Sequence, residues 1–200
     1  MTAEPPSWDS VYTGDTPPPW DIGRPQPAFV RLADDGVLTG RVLDAGCGTG
    51  EHTLLAAARG ADALGVDMSA TAIARARAKA AERGLSARFE IADVLELGRL
   101  GLVFDTIIDS GVFHVFGDED RGRYVASLAS VLRPGGTCCL MCFSDRQPGI
   151  WGPRRIRREE LTAAFASGWE IASITPGQFH VIMAGQPGTA EAWLAILRRA

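Results

Sequence analysis

Short apolar segments alternate with amphipathic ones along most of the chain. The apolar segments have the length and composition of buried strands, and they predict strands over residues 41–45, 61–67, 88–92, 104–109, 137–143, 169–174 and 179–184. The spacing of apolar positions between them predicts helices over residues 51–59, 70–83, 118–132 and 158–166, and a last helix capped by Thr189. Strands that alternate with helices form a parallel sheet covered on both faces, so we expect an α/β fold.

The N-terminal segment has a different composition from the rest. Residues 1–27 contain seven of the 12 prolines, which exclude a long helix or a central strand there. Three large aromatic residues lie among them, Trp8, Tyr12 and Trp20. We interpret residues 1–40 as an arm or lid, with short helices near residues 8–12 and 26–35, that lies across a single domain formed by residues 41–200.

Composition and charge exclude several classes of protein. The 200 residues are 46% hydrophobic and 22% charged, which is typical of one globular domain with a real core. A net charge of -4 argues against nucleic acid as the main partner. We find no apolar run long enough to span a membrane and no secretory segment at the N-terminus. Four cysteines are too few for a disulfide scaffold, so we expect a cytoplasmic protein.

A glycine-rich loop joins the first predicted strand to the first predicted helix. Glycines at positions 46, 48 and 50 permit a tight turn and a close approach of backbone to a ligand. A dinucleotide-binding fingerprint would have its third glycine at position 51, where this chain has Glu51. Asp44 and Glu51 flank the loop and would repel a pyrophosphate. We therefore expect a ligand that is cationic and carries no phosphate.

The sequence Asp44-x-Gly46-x-Gly48-x-Gly50 resembles the first motif of class I S-adenosylmethionine (SAM) methyltransferases. Further matches follow in the family's order, at Asp67-Met68, Ala92-Asp93-Val94, Phe104-Asp105-x-x-x-Asp109-Ser110 and Leu132-Arg133-Pro134-Gly135-Gly136. The resemblance implies a Rossmann-like fold with seven strands, the last antiparallel, and SAM as the cofactor, with S-adenosylhomocysteine as product. It also implies that Asp67 holds the ribose hydroxyls and that Asp93 lies near the adenine amino group.

The N-terminal arm narrows this resemblance. Trp8-Asp9-x-x-Tyr12 and Pro19-Trp20-Asp21-Ile22-Gly23-x-Pro25-Gln26-Pro27 are similar to the arm of small-molecule methyltransferases near the thiopurine and thiol/halide groups. Together with Asp109-Ser110-x-x-Phe113-His114, the arm is most similar to a bacterial, notably mycobacterial, branch that methylates heterocyclic toxins and quinolone-like compounds. The resemblance implies that the arm closes over SAM and the acceptor. It places Trp20, Ile22 and Gly23 at the methionine side of the cofactor, with Gln26 fixing the arm.

Two titratable residues are candidates for catalysis. His114 would act as a general base or as an orienting hydrogen-bond partner for the acceptor, and Tyr12 is the second candidate. The alternative for His114 is a purely structural histidine, because methyl transfer often needs no strong base. The reaction we expect is an SN2 transfer of a methyl group to O, N or S of a small aromatic or heterocyclic acceptor.

Other functions remain open at this point. A thiol, halide or metalloid methyltransferase is one, and a SAM-binding protein without catalysis is another. The segment Asp109-Ser110-Gly111-Val112 lacks the Pro-Pro-aromatic signature of enzymes that methylate amino groups of nucleic-acid bases. Cys139-x-x-Cys142 lies inside an apolar strand without a second ligand pair, so we predict buried cysteines and no metal site.

Overall fold

Seven strands form one sheet in the computed structural model, which describes residues 8–14 and 16–200. The strands are β1 Arg41–Ala45, β2 Asp62–Asp67, β3 Arg88–Ile91, β4 Phe104–Ser110, β5 Leu132–Phe143, β6 Trp169–Met183 and β7 Gln186–Arg199. Their order across the sheet is β3-β2-β1-β4-β5-β7-β6. Neighbouring strands are parallel, except that β7 is antiparallel to both β5 and β6. The predicted α/β fold with a mostly parallel, seven-stranded Rossmann-like sheet is confirmed.

Helices cover both faces of this sheet. The α-helices are α1 Trp8–Thr13, α2 Pro27–Asp34, α3 Glu51–Ala58, α4 Ala70–Glu82, α5 Asp118–Val131 and α6 Arg158–Ala164, and short 3-10 helices span Val94–Leu100 and Phe113–Val115. As predicted, Ser69 caps α4, because its side-chain oxygen accepts the Ala72 N–H at 3.0 Å. The apolar side of α4 then packs on the sheet through Ile73 and Ala76.

The strands of the central sheet are apolar on both sides because each side carries a helical layer. In β1, Leu43 belongs to a core with Leu128 of α5 and Leu161 of α6. Its neighbour Val42 belongs to a second core with Phe29 of α2 on the opposite face. Successive side chains of a strand point to opposite faces, so this alternation follows directly from the strand geometry.

The predicted last helix, capped by Thr189, is wrong. Thr189 lies inside β7, and β7 is a central strand with hydrogen-bonded neighbours on both edges. Ile196, for example, pairs with Cys139 of β5 and with Ser173 of β6. The segment is rich in Ala, Leu, Glu and Arg, which favour a helix, but pairing on both edges outweighs this weak local preference.

The strands predicted over residues 169–174 and 179–184 form one long strand, β6. Pro176 and Gly177 lie inside it and do not interrupt its pairing with β7. The sheet tolerates a proline there because β6 is an edge strand, where one row of N–H groups has no strand to pair with. Ala184, with φ of 48°, and Gly185 then form the tight turn into β7.

Membrane-spanning helices and clusters of metal-ligating side chains are both features of a fold that bear on function. Within residues 8–14 and 16–200, helices are all too short or too polar to cross a lipid bilayer. The same part of the chain contains no group of three His, Cys, Asp or Glu side chains arranged as metal ligands.

Candidate functional site

The candidate site lies at the carboxyl ends of β1, β2 and β4. The chain order of the strands reverses between β1 and β4, and ligands of open α/β sheets bind at such a point. The loop after β1 is shaped by glycines with positive φ, 71° at Gly46 and 51° at Gly48, and Gly50 precedes α3 with φ of 88°. A Cβ at Gly46 would overlap Val112, and one at Gly48 would lie 2.9 Å from the Tyr12 hydroxyl oxygen. Only glycine therefore allows these loops to meet.

The Asp44 carboxylate lies fully buried beneath this loop. Its Oδ2 accepts the Thr53 N–H at 3.0 Å and the Thr53 hydroxyl at 2.7 Å. Its Oδ1 is buried without a hydrogen-bond partner in the part of the chain that the structure describes. Burial raises the pKa of Asp44 to about 7. An unsatisfied buried acceptor is costly, so this oxygen is suited to a ligand that brings a donor or a positive charge.

The Glu51 carboxylate is paired with cationic side chains, which the sequence did not indicate. Its carboxylate is bound by Lys79 Nζ at 2.8 Å and by the Arg83 guanidinium at 2.8 Å and 2.9 Å. These two cations hold the pKa of Glu51 below its usual value, against the opposing effect of burial. The negative charge of Glu51 is thus neutralised inside the protein, and Asp44 carries the electrostatic argument alone.

Asp67 ends β2 and faces the same loop. Its Oδ2 accepts the Gly48 N–H and its Oδ1 accepts the Ser69 N–H, both at 2.9 Å. Burial raises the pKa of this carboxyl above its usual value. Each carboxylate oxygen has a second lone pair, so Asp67 can brace the loop and still accept hydroxyl donors.

An open groove of about 440 Å³ continues from Asp67 past the ends of β2 and β3. It is lined by Met68, Ile91, Ala92, Asp93, Glu96, Arg99 and Leu100. Asp93 caps the following 3-10 helix, since its Oδ1 accepts the Leu95 N–H at 2.9 Å. Val94 is buried just behind it. The groove therefore joins apolar walls to the charged side chains Asp93, Glu96 and Arg99, and Asp93 is the residue that the resemblance puts near the adenine amino group.

Asp109 and Ser110 end β4 on the other side of the loop. Asp109 is fully buried, and it accepts hydrogen bonds from Val112 N at 2.7 Å, Phe113 N at 3.1 Å and the Tyr124 hydroxyl at 3.0 Å. Burial raises the pKa of Asp109 to about 7. Ser110 is partly exposed at the strand end. Asp109 thus shapes the loop that contacts Gly46, and its own oxygens are turned into the protein.

The arm covers the glycine loop from above. The Tyr12 hydroxyl, placed against Gly48, accepts a hydrogen bond from Trp20 Nε1 at 3.0 Å. Asp21 accepts one from the Thr49 hydroxyl of the loop at 2.9 Å. Burial raises the pKa of Tyr12 above its usual value, so the phenol keeps its proton. These bonds connect the arm to the backbone turn itself.

Further contacts anchor both ends of the arm. Asp9 accepts hydrogen bonds from the Ser69 hydroxyl at 2.7 Å and from Thr71 N at 2.9 Å, at the start of α4. Gln26 pairs with the backbone of His180 on β6, donating to its C=O at 2.9 Å and accepting its N–H at 2.7 Å. Between these anchors, Ile22 is partly buried and Gly23 has a φ of 70° with open space around it.

We call the carboxyl-terminal edge of the sheet between the glycine loop and the short helix Phe113–Val115 the cleft, and His114 lies in that helix. Its side chain is buried, and its Nδ1 accepts the Phe143 N–H at 2.9 Å. The ring packs edge-to-face on Phe143 and Phe179, with centroids 5.1 Å and 5.9 Å away. Trp151 extends this cluster, 5.6 Å from the Phe143 ring. His114 and Tyr12 therefore lie on different sides of the cleft, one in an aromatic cluster and the other on the glycine loop.

Several residues of the site have roles that the sequence does not indicate. Thr53, Asp9, Asp21 and Thr49 act through hydrogen bonds to other segments of the chain. The weak local signal for Thr53 is its position in the first turn of α3, close to the end of the strand that carries Asp44. Aspartates and threonines in an arm or a first helical turn are otherwise common as solvent-facing caps.

Comparisons with known proteins found relatives of this chain. The methyltransferase domain family matches residues 42–136. A 2-heptyl-1-hydroxyquinolin-4(1H)-one methyltransferase of Mycobacteroides abscessus is 36% identical over 86% of this chain and 80% of its own length. A probable thiol methyltransferase of Arabidopsis thaliana is 30% identical over 88% of this chain and 76% of its own length. A solved structure from work on the conversion of a disulfide bond into a thioacetal group during echinomycin biosynthesis is 40% identical, with a TM-score of 0.88 over 96% of this chain and 91% of that one.

Proposed function

Because this chain is a SAM-dependent methyltransferase of the methyltransferase domain family, we propose that it methylates a small aromatic or heterocyclic acceptor at O, N or S. The observation that carries the proposal is the arm. It lies over the glycine loop through Tyr12 and Asp21, next to the aromatic cluster of His114, Phe143, Phe179 and Trp151. Aromatic side chains beside the arm suit a small flat molecule better than a protein or a nucleic acid strand.

The polar side of the cleft would hold SAM. Asp44 offers its unpartnered Oδ1 to a cationic group, and the backbone at Gly46, Gly48 and Gly50 allows close approach. Asp67 would accept the ribose hydroxyls, and the groove with Met68, Asp93 and Val94 behind it would take the adenine. Trp20, Ile22 and Gly23 would close over the methionine side, with Asp109 and Ser110 shaping the adjacent loop. When bound, SAM supplies an electrophilic methyl group on a sulfonium.

The chain's own contribution to the reaction would be alignment and exclusion of water. Tyr12 keeps its proton because burial raises its pKa, so it would donate a hydrogen bond and would not act as a base. Alignment of two reactants in a near-attack geometry lowers a barrier by as much as about 7 to 11 kcal/mol. A dry cleft adds to this, because the positive charge is dispersed as the methyl group leaves sulfur.

The acceptor class follows from the aromatic cluster and from the relatives. The M. abscessus relative is named for a hydroxylated quinolinone, and the aromatic cluster would stack or pack edge-on against such a ring. The A. thaliana relative is named for thiols, which favours methyl transfer to sulfur as a second candidate. In either case the acceptor is small. The proposal also places the enzyme in a bacterial cytoplasm. Four buried free cysteines support this location.

The test combines binding with a product assay. Calorimetry with SAM and with NAD comes first, followed by measurement of S-adenosylhomocysteine release over hydroxyquinolines, phenols, thiols and halide salts. We expect SAM to bind, NAD not to bind, and at least one hydroxylated heterocycle or thiol to be methylated. Binding of SAM without release from any acceptor would instead indicate a sensor. Methylation of DNA or RNA at a comparable rate would overturn the small-acceptor proposal.

A further inference from the structure

The hydrogen bond at His114 Nδ1 determines where the imidazole carries its proton. The donor is the backbone N–H of Phe143, 2.9 Å away, and a backbone amide can only donate there. Nδ1 must therefore present a lone pair, and the proton of the neutral ring is on Nε2. To act as a base through Nε2, the ring would need its proton on Nδ1, where two hydrogens would face each other and the buried Phe143 N–H would lose its partner.

The other edge of the same ring lies against Gly111, at the end of β4. A Cβ built at Gly111 would lie 3.4 Å from Nε2 and 3.7 Å from the Phe179 ring. Gly111 has a φ of 96° and directly follows the strand end. Nε2 makes no hydrogen bond to any residue in the described ranges, whereas Nδ1 is satisfied. Nε2 is thus an N–H donor beside Gly111 that has no protein partner in the described ranges and is not fully enclosed.

We propose that His114 binds the acceptor by donating a hydrogen bond from Nε2, and that the natural acceptors are acidic molecules that are already ionised when they bind. This inference rests on the proposed function and names its substrate class: a phenol-like or N-hydroxy heterocycle, or a thiol, in its anionic form. A lone pair of the anionic oxygen or sulfur forms the new bond to the methyl carbon, and the carbon–sulfur bond of the donor breaks with its electron pair left on that sulfur. No proton has to be removed, and His114 keeps its own.

The surroundings of His114 agree with a donor that never titrates in the working range. Burial among the rings of Phe143 and Phe179 lowers the pKa of His114 to about 3. The neighbouring strands carry the titratable side chains Asp109, Cys142 and His180, and none of these hydrogen-bonds to His114. A neutral donor in an apolar setting discriminates for an acceptor that brings its own negative charge.

Two substitutions separate the donor from a base and from a structural role. His114→Gln places an amide N–H near the position of Nε2 but cannot take up a proton. His114→Asn places an amide oxygen near the position of Nδ1, so it keeps the Phe143 N–H satisfied, but it does not reach the crevice. We expect His114→Gln to retain kcat/KM within about threefold but to lower the melting temperature, because the Phe143 N–H loses its acceptor. We expect His114→Asn to lose about 10- to 100-fold in kcat/KM with a melting temperature near wild type, and SAM affinity should be near wild type in both variants. Equal large losses in both variants with folding intact would overturn the proposal.

A pH profile supplies the second readout. With acceptors that share one ring but differ in acidity, the acid limb of kcat/KM should move with the pKa of the acceptor, and it should be unchanged in His114→Gln. A limb that stays fixed across acceptors and disappears in His114→Gln would identify a base and refute the donor. An acid limb of kcat/KM that arises from Asp44 or Asp109 would be present in His114→Gln as well, so it would not indicate a base at His114. The proposed function fails differently, through the absence of turnover in wild type, whereas fast methylation of neutral alcohols would defeat this inference alone.

Discussion

The two sides of the cleft differ in polarity and charge. On the glycine-loop side, Asp44 and Asp67 are carboxylates surrounded by backbone N–H groups and by the hydroxyl of Thr53. On the aromatic side, His114 is surrounded by phenyl rings and is kept neutral. The first side can accept positive charge and hydroxyl groups, and the second side can accept flat apolar surface with one donor. A charged methyl donor and an aromatic acceptor can thus share one cleft because each meets a different environment.

The difference also shows in what holds each side in place. The glycine loop depends on backbone approach that no side chain permits, and on hydrogen bonds to the arm. The aromatic side depends on side-chain packing, with a single polar bond between His114 and Phe143. Substitutions on the first side should therefore act on stability and SAM affinity, and those on the second side should act on the acceptor.

The largest effect is expected from Gly46→Ala. The new methyl group would overlap Val112 while the backbone keeps a φ of 71°, so we expect a loss of about 2–5 kcal/mol in the free energy of unfolding. Gly60→Ala is the matched control, because it has a φ of 87° but open space around it, and it should cost only about 1–2 kcal/mol. Chemical denaturation measures both. Equal costs would mean that the loops do not depend on close approach at Gly46.

Asp44→Asn should weaken SAM binding by about 10- to 100-fold, since it removes the charge that we assign to the cofactor's cationic group. The control is Glu51→Gln, which removes a charge already neutralised by Lys79 and Arg83. It should change stability more than affinity. Calorimetry measures the SAM affinity of both variants. Similar losses of affinity would mean that the charge of Glu51 contributes to SAM binding as well.

The pH dependence of SAM binding should follow Asp44. Because the pKa of Asp44 in the folded protein is raised from 3.8 to about 7, ionisation is disfavoured by folding, and its contribution to stability falls as the pH rises from about 4 to about 7. A cationic ligand favours the ionised form, so affinity should rise by up to about tenfold between pH 6 and pH 8. The rise should be smaller in Asp44→Asn, measured over the same range. An identical profile would assign the rise to another carboxyl such as Asp109, whose pKa burial also raises to about 7.

The smallest effect is expected from Trp20→Phe in the arm. It removes the Nε1 donor to Tyr12 and keeps an aromatic ring, so SAM affinity should fall by about two- to tenfold. Trp8→Phe, at another exposed tryptophan of the arm, should leave affinity unchanged. Trp20→Ala should lower affinity further. If SAM affinity and rate are unaltered in Trp20→Ala, the arm is not a lid.

Most of the fold up to β5 could be predicted, because each of these elements has its own local pattern. Ser69 caps α4 as its sequence position indicates, and the spacing of glycines marks the turn after β1. The prediction fails at β7, where helix-favouring residues form a central strand. That outcome depends on pairing with β5 and β6, which no single stretch of sequence contains.

The sequence predicts that several of the candidate residues lie close together, but it does not predict their electrostatics. Asp44, Asp67 and the glycines occupy one corner of the cleft, as the motif spacing indicates. The neutralisation of Glu51 depends on Lys79 and Arg83 one helix away, and the tautomer of His114 depends on the backbone of Phe143. Contacts between residues about 30 positions apart leave no local trace, so charge and proton placement had to come from the structure.

The pairing of Gln26 with His180 has a consequence for solubility. β6 is an edge strand, and such edges recruit strands from other molecules. Gln26 occupies the outward backbone groups of His180, and the Pro19 carbonyl accepts the Ile182 N–H at 2.8 Å, so the arm covers this edge. Loss of the arm would expose the backbone N–H and C=O groups of this edge strand to other molecules. We therefore expect an arm-deleted chain to associate, so that the molecular mass measured by light scattering rises with protein concentration. A chain that stays monomeric without its arm would show that this edge needs no cover.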